Sequence, residues 1–138
     1  MATSRQVTVE RTGPGRFAAV NKRGGTVSFG TGEDGDFTPT ELLLAAIGGC
    51  TAIDVDILTS RRATADSFQV AVGADKVRDE DGNRLTDIAV TFHVTFPGGP
   101  EGDAAREVLP QAVQRSHDRL CTVGRTVELG TPITPSIE

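Results

Sequence analysis

Aromatic and sulfur-containing side chains are scarce in this 138-residue chain, which has no tryptophan or tyrosine, six phenylalanines, one methionine and two cysteines. Two cysteines are too few for the disulfide framework of a small secreted domain. Because the soft and aromatic side chains that often line binding sites are rare, Cys50 and Cys121 are the most informative chemical groups in the sequence. They lie so far apart along the chain that only the fold can bring them together.

Positive charge and long apolar runs are also in short supply. The net charge of -5 argues against a nucleic-acid partner, since such binding depends on Lys and Arg neutralising phosphates. The longest uncharged apolar run, Leu42 to Ile53, is too short to cross a bilayer, and the N-terminal residues lack the apolar stretch of a signal peptide. We therefore expect a cytoplasmic protein with no membrane partner, in which a disulfide would be catalytic or sensory.

Strands are predicted in three places. Short alternating runs divided by turn residues predict a three-stranded meander between Gln6 and Phe29. Two β-branched and aromatic runs, Ser67 to Val77 and Leu85 to Phe96, predict a long hairpin. The last segment, Val127 to Ile137, alternates apolar residues and contains two prolines, which predicts an edge strand.

Two helical segments complete the predicted fold. Thr38 as N-cap, Pro39 in the first turn and Glu41 closing a capping box predict a helix start, and the apolar pattern continues to about Arg62. Apolar residues cover nearly every face of this helix, which places it in the core or in an interface. A second helical pattern runs from Glu101 to about Leu120 and contains a proline, which implies a kink or two helices.

The predicted order is βββ-α-ββ-α-β, with strands and helices grouped rather than alternating. This grouping is typical of the α+β class. A chain of this length fits one domain, residues 1–138, with one core.

Gly48 and Gly49 directly precede Cys50 inside the predicted helix, where each glycine costs about 1 kcal/mol relative to alanine. A functional interpretation is that the bare backbone lets another element or a substrate approach the sulfur. The alternative is close packing of the helix against the sheet. Most free cysteines are buried and act as small hydrophobic residues, so the residues alone leave both interpretations open.

Cys121 follows the end of the second predicted helix and adds a chemical possibility. A thiolate that attacks a peroxide becomes a sulfenic acid, which condenses with a second thiol nearby. In that case one cysteine attacks the peroxide, and the other, the resolving cysteine, forms a disulfide with the resulting sulfenic acid. Two unrelated buried cysteines explain the composition and spacing equally well.

The stretch from Thr38 to Ala52, with Pro-Thr-Glu-Leu-Leu before Gly-Gly-Cys, and the later Cys121-Thr-Val resemble the OsmC/Ohr family of peroxide-detoxifying proteins, in one of its less characterised OsmC-like branches. The resemblance covers essentially the whole chain. It implies an OsmC-like α+β fold, an intertwined homodimer and active sites at the dimer interface.

The same resemblance implies a reaction. Cys50 is expected to be the peroxidatic cysteine and Cys121 the resolving one, so that an organic hydroperoxide is reduced to its alcohol through an intramolecular disulfide. An external dithiol or lipoyl-type reductant would regenerate the thiols. No metal, flavin or haem cofactor is implied, and the Leu- and Ile-rich surroundings of Cys50 favour an apolar hydroperoxide.

Only the thiolate is nucleophilic, and in the family an N-terminal Arg, oriented by a Glu near the start of the cysteine helix, stabilises it. By position Arg16 is the best match and Arg11 the second; an ordinary solvated turn arginine is the alternative for both. The family's best-characterised reductases place the Glu directly after the helix-start proline. Here that residue is Thr40 and the acid is Glu41, about 100° further round the helix, which suits the capping box better.

Three more residues bear on the site. Asp54 lies one helical turn after Cys50, where an unpaired carboxylate would oppose thiolate formation. His117 and Cys121 have the i, i+4 spacing of two metal ligands, but no CxxC or HExxH pattern accompanies them, so we expect His117 on the surface. His93 is expected on the outer face of its strand.

The sequence therefore supports two classes of function. The first is a thiol-dependent peroxidase in oxidative stress defence, with Cys50, Cys121, Arg16 and Glu41 as candidate site residues. The second is a non-catalytic OsmC-like protein that binds a small apolar molecule, or a redox sensor whose disulfide alters a partner interaction. Thr40 and Asp54 are the features that favour the non-catalytic protein, whereas the sensor shares the sulfur chemistry of the peroxidase but predicts slow turnover.

Overall fold

The computed structural model describes residues 2–138, which form two compact units, one that ends at Leu43 and one that runs from Leu44 to Glu138. The first unit contains an antiparallel meander of β1 (Val7–Gly13), β2 (Arg16–Asn21) and β3 (Thr26–Gly30). The paired rings of Phe17 and Phe29 stack across β2 and β3 with their centroids 6.0 Å apart. The three predicted N-terminal strands are confirmed.

The long helix α1 spans Pro39–Ser60 and begins as predicted. The Glu41 amide donates to Thr38 Oγ1 at 3.2 Å, and the Thr38 amide donates to Glu41 Oε1 at 2.9 Å. This reciprocal pair satisfies two backbone donors that a helix start otherwise leaves free. The capping box therefore fixes where α1 begins.

The second unit contains a two-stranded antiparallel sheet of β4 (Ser67–Asp79) and β5 (Gly82–Thr95), which confirms the hairpin. The two strands are joined by Glu80 and Asp81, and Gly82 directly after this turn has a φ of 95°, a conformation that glycine adopts at little cost. A bulge in β5 includes Asp87, whose φ is 52°.

Helix α1 packs closely on this hairpin, and the two glycines before Cys50 differ in their surroundings. A Cβ atom built on Gly48 would lie 2.6 Å from Val72 Cγ2 of β4, whereas one on Gly49 would meet nothing within 4 Å. Close helix-sheet packing therefore explains Gly48. Gly49 is exposed and has no such explanation within the chain.

The buried side chains of α1 recur every four residues, at Ile47, Thr51, Val55 and Thr59. The opposite face is apolar too, but Ile53 and Ile57 are 62% and 52% exposed. The helix thus buries one stripe in its own chain and leaves a second apolar stripe uncovered.

The second predicted helix is observed as α2 (Pro100–Arg115), followed by one turn of π-helix (Ser116–Leu120) and by α3 (Thr122–Leu129). Pro110 lies inside α2 without ending it. The hydrogen-bond pattern changes at Ser116 instead, where the Cys121 amide donates to the Ser116 carbonyl at 2.9 Å. Single π-helical turns of this kind are frequent at functional sites.

The predicted edge strand at the C-terminus is wrong. Residues 122–129 are helical because Cys121 caps the helix start, accepting a hydrogen bond from the Gly124 amide, and Gly130 ends it with φ 66° and ψ 48°. Thr131–Glu138 has no regular secondary structure, and two prolines there prevent the helix from continuing. The observed order is βββ-α-ββ-α-α, and the class is α+β as predicted.

By length and composition, α1 is the one helix in residues 2–138 that could cross a membrane. The core helix of a water-soluble protein passes the same test. Here α1 carries Asp54 and Asp56, and it approaches the protein's own hairpin closely at Gly48.

Candidate active site

The second unit brings the two cysteines together. Cys50 is half-buried in the middle of α1, and Cys121 is 3% exposed at the cap of α3. Both are free thiols. The fold thus brings together two sulfurs that lie 71 positions apart in the sequence.

Cys121 is held in its protonated form. Burial raises the pKa of the Cys121 thiol above its ordinary value, and the Gly124 amide, which donates to the sulfur at 3.2 Å, partly offsets this effect. A hydrogen bond with Cys50 and the negative charges of Cys50 and Asp54 raise the pKa further. Cys121 is therefore suited to donate its proton towards the Cys50 sulfur rather than to act as the first nucleophile.

A partly buried polar cluster of Thr51, Asp54 and Ser116 joins α1 to the π-helical turn that precedes Cys121. The hydroxyl of Ser116 donates to Asp54 Oδ2 at 2.8 Å and lies 2.7 Å from Thr51 Oγ1. Ser116 is fully buried and Thr51 is 8% exposed. Asp54, whose partner the sequence could not identify, is thus hydrogen-bonded within its own chain.

Sequence reasoning missed Ser116. A lone serine between an arginine and a histidine carries no motif, and the helical spacing of its neighbours gives no sign of a π-helical turn. Its role becomes visible only when α2 and α1 are placed side by side.

A cavity of about 420 Å³ reaches Cys121. Its wall is mostly apolar and comes from α1, β5, α2 and α3: Ile47, Ile88, Val90, Phe92, Val113 and Val127. Thr51 and the polar side chains of Gln114, His117 and Glu128 complete the lining. The cavity can therefore accommodate a small apolar molecule next to the buried Cys121 thiol.

His117 is on the surface at the cavity, as expected from the sequence. Its Nδ1 lies 2.9 Å from Asp118 Oδ1 and its Nε2 lies 2.9 Å from Glu128 Oε1, and these hydrogen bonds raise the pKa of His117. The stability that they add is complete below the ordinary pKa of histidine and is lost as the pH rises through the raised value. The side chain is 57% exposed, so this contribution is small.

No group of three His, Cys, Asp or Glu side chains in residues 2–138 is arranged to hold a metal ion. His93 is exposed on β5 and lies outside the cavity lining.

Arg16 and Glu41 belong to the first unit. The guanidinium of Arg16 forms ion pairs with Asp34 and with Asp36, the latter at 3.0 Å, and it is 52% exposed. Glu41 is the acid of the capping box, and Arg11 is an exposed residue of β1. The contact of either arginine with Cys50 stays a prediction.

An α+β fold with two adjacent free thiols, one on a core helix and one buried at a helix cap beside an apolar cavity, defines a protein with a two-cysteine site. The family model described as OsmC-like protein matches residues 31–136. The chain belongs to the OsmC-like family.

The chain is similar in sequence to a bacterial protein and similar in fold to solved structures. An uncharacterised protein of Mycobacterium tuberculosis is 35% identical over 129 residues, which cover 93% of this chain and 92% of that protein. An OsmC-like protein of unknown function from Vibrio cholerae has a TM-score of 0.75 at 12% identity, over 92% of this chain and 95% of its own. The organic hydroperoxide resistance protein OhrB of Bacillus subtilis has a TM-score of 0.55 at 16% identity, over 90% of each chain.

Proposed function

We propose that this protein is a thiol-dependent peroxidase that reduces organic hydroperoxides to alcohols in the oxidative stress defence of the cytoplasm. The observation that carries the proposal is the pairing of Cys50 with a buried, protonated Cys121 beside an apolar cavity. The similar fold of OhrB of Bacillus subtilis, which is named an organic hydroperoxide resistance protein, supports the same chemistry.

The reaction would proceed in two steps at sulfur. The Cys50 thiolate attacks the terminal oxygen of the hydroperoxide, the O–O bond breaks, and the alkoxide leaves as the alcohol after taking up a proton. Cys50 is now a sulfenic acid. Cys121 then attacks the Cys50 sulfur, a disulfide forms, and the sulfenic oxygen leaves as water. An external dithiol reduces the disulfide and completes the cycle without a bound cofactor.

The cavity wall supports an organic hydroperoxide as the preferred substrate in this proposal. Apolar side chains line most of the cavity of about 420 Å³. Transfer of an alkyl tail from water into this cavity is therefore favourable, whereas hydrogen peroxide has no apolar surface to bury. In this proposal Arg16 stays the candidate for stabilising the Cys50 thiolate, and Glu41, which caps α1, stays the candidate partner of that arginine.

The test is steady-state consumption of cumene hydroperoxide and of hydrogen peroxide by the purified protein with excess dithiol. We expect catalytic turnover with both and a higher kcat/KM for the organic substrate by at least about tenfold, which corresponds to burying about two methylene groups. Equal rates for the two peroxides would contradict the role of the cavity. No turnover with either would contradict the enzyme proposal.

One observation favours the second class of function. Cys121, rather than Cys50, is among the residues that line the cavity. A protein that binds an apolar molecule there, or that senses peroxide through a disulfide, would form the disulfide once but turn over slowly. The rate with excess dithiol therefore separates an enzyme from a sensor.

We further propose that the protein is a homodimer in which a second copy covers the uncovered stripe of α1. Ile53 and Ile57 are 62% and 52% exposed in the single chain, and in the C-terminal segment Ile133 and Ile137 are 93% and 100% exposed. Apolar surface of this extent normally marks an interface.

Sedimentation equilibrium should give twice the chain mass, and Ile53→Asp should shift the protein towards monomer. A monomeric wild type would contradict the proposal.

A further inference from the structure

Three arginine side chains line one groove between the C-terminal end of α1 and the last two turns of α2. Arg61 and Arg62 directly follow the last residue of α1, and Arg115 is the last residue of α2. The groove has a volume of about 610 Å³. Its other lining residues are Leu58, Val108, Gln111 and Ala112. Because no acidic residue lines it, we call it the cationic groove.

Helical spacing places the groove residues on one side of each helix. On α2, Val108, Ala112 and Arg115 are four and three positions apart, which is the spacing of neighbours on one helix face. Leu58 lies on the last turn of α1, one turn before the two other arginines. The groove therefore combines buried or half-buried apolar side chains with three exposed guanidinium groups.

The three arginines have no partner of opposite charge in residues 2–138. Over these residues none of them forms an ion pair or a side-chain hydrogen bond, whereas three other arginines each pair with an aspartate. The chain has 19 acidic and 14 basic residues, so acidic side chains are plentiful elsewhere. The groove thus carries a local charge opposite in sign to the net charge of the chain.

Helix ends explain only part of this cluster. Arg61 and Arg62 lie just beyond the C-terminal end of α1, where positive charge interacts favourably with the helix dipole. Arg115 has no such explanation, because the Ser116 amide still donates to two carbonyls of α2 and the chain continues into the π-helical turn. Arg115 therefore adds a third positive charge without lying at a free helix end.

Three guanidinium groups around one space attract an anion that carries several charges. A space of about 610 Å³ is on the order of 10 Å wide, which is close to the Debye length at 0.1 M salt, so an anion inside it interacts with all three charges. Each guanidinium presents a planar set of N–H donors that matches the oxygens of a phosphate or a carboxylate. The apolar side chains of the groove suit a short carbon skeleton attached to such a group.

We propose that the cationic groove binds a small organic anion with at least two negative charges, a phosphate ester or a polycarboxylate. The three arginines bind its oxygens, and the apolar residues of the groove contact its carbon skeleton. None of the groove residues lines the cavity at Cys121. The inference therefore goes beyond the proposed function and does not depend on the chemistry of either sulfur.

The test is isothermal titration calorimetry of the purified protein with sodium pyrophosphate and, separately, with sodium citrate. The titrations are made at neutral pH and at an ionic strength of about 0.1 M, held constant with sodium chloride. We expect saturable binding of at least one probe with a Kd below about 1 mM. The probe that binds more tightly identifies the anionic group as a phosphate or a carboxylate.

Arg115→Gln should weaken this binding by about tenfold, because it removes one charge-assisted hydrogen bond. Arg62→Gln should have a similar effect and decides the question if Arg115→Gln fails to fold. Arg78→Gln is the matched control. Arg78 is an exposed arginine of β4 that forms no ion pair in the described part of the chain and lies outside the groove. It changes the net charge equally and should leave the Kd within about twofold of the wild-type value.

Two results would overturn the proposal at this stage. The first is the absence of saturable binding of either probe to the wild-type protein. The second is an equal Kd in the groove variants and in Arg78→Gln, which would mean that the probes respond to net charge rather than to the groove.

Sedimentation equilibrium distinguishes a small ligand from a second copy of the chain as the occupant of the groove. Leu58 is rotated by about 100° around α1 from Ile57 of the uncovered stripe, so the groove and the proposed dimer contact lie on different sides of this helix. The double variant Arg62→Gln/Arg115→Gln should therefore have the same mass as wild type. A shift towards monomer would mean that a partner copy fills the groove, and it would also overturn the proposal.

Discussion

Cys50→Ser lowers hydroperoxide reduction by about 10³-fold or more, because a serine hydroxyl in the same place is not ionised at neutral pH and cannot form a sulfenic acid. The measurement is kcat/KM for cumene hydroperoxide with excess dithiol. Serine is nearly isosteric with cysteine, and the position is half-buried, so the fold should not change. A residual rate close to wild type would contradict the role of Cys50 as the nucleophile.

Cys121→Ser is the matched control for this prediction, because it removes the second sulfur and leaves the first. The single oxidation of Cys50 should proceed at a rate similar to that of wild type. The sulfenic acid should then persist and react with dimedone, since no thiol in the chain can condense with it. Loss of the first oxidation step in this variant would mean that the two assignments are reversed.

Gly102→Ala should destabilise the protein by about 3 kcal/mol or more, which lowers Tm by roughly 10 °C for a chain of this size. Gly102 is buried in the first turn of α2, and a Cβ atom there would lie 1.7 Å from the Pro97 carbonyl oxygen. The clash involves backbone, which moves less easily than a side chain. The Arg106 guanidinium also holds this loop through bonds to the Phe96 carbonyl at 2.8 Å and to the Pro97 carbonyl at 3.0 Å.

The control is Gly98→Ala in the same loop. A Cβ atom on Gly98 would meet nothing within 4 Å, and its φ is not in the left-handed region. We expect its free energy of unfolding to lie within about 0.5 kcal/mol of wild type. Urea denaturation of both variants measures the difference; similar stabilities for the two would contradict the close approach of α2 to the Pro97 carbonyl.

Local signals in the sequence predicted most of the fold. The capping box from Thr38 to Glu41 predicted the start of α1, and alternation around a short turn predicted β4 and β5. These features depend on residues close together in the chain, and propensity and periodicity describe such residues well.

The C-terminal segment shows where local signals were ambiguous. Val123 and Val127 have helical spacing, while the prolines and isoleucines beyond Gly130 look like an edge strand. In the structure Cys121 caps the start of a helix, and Gly130 in the left-handed conformation ends that helix after Leu129. A sulfur cap is a weak sequence signal because cysteine is not among the preferred N-cap residues.

The site was predictable only in part, because its parts come from distant segments. The pairing of Cys50 with Cys121 came from family resemblance, since the spacing alone left two unrelated cysteines equally acceptable. The bond between Ser116 and Asp54 joins residues 62 positions apart and depends on a π-helical turn. No local pattern encodes such a contact.

The central claim is that Cys50 and Cys121 form one redox pair, and the most direct test is mass spectrometry of the wild-type protein after one equivalent of cumene hydroperoxide without reductant. The account predicts that both thiols disappear together and that a Cys50–Cys121 disulfide forms within a single chain. If both thiols remain free, or if Cys50 is oxidised while Cys121 stays a free thiol, the account is contradicted.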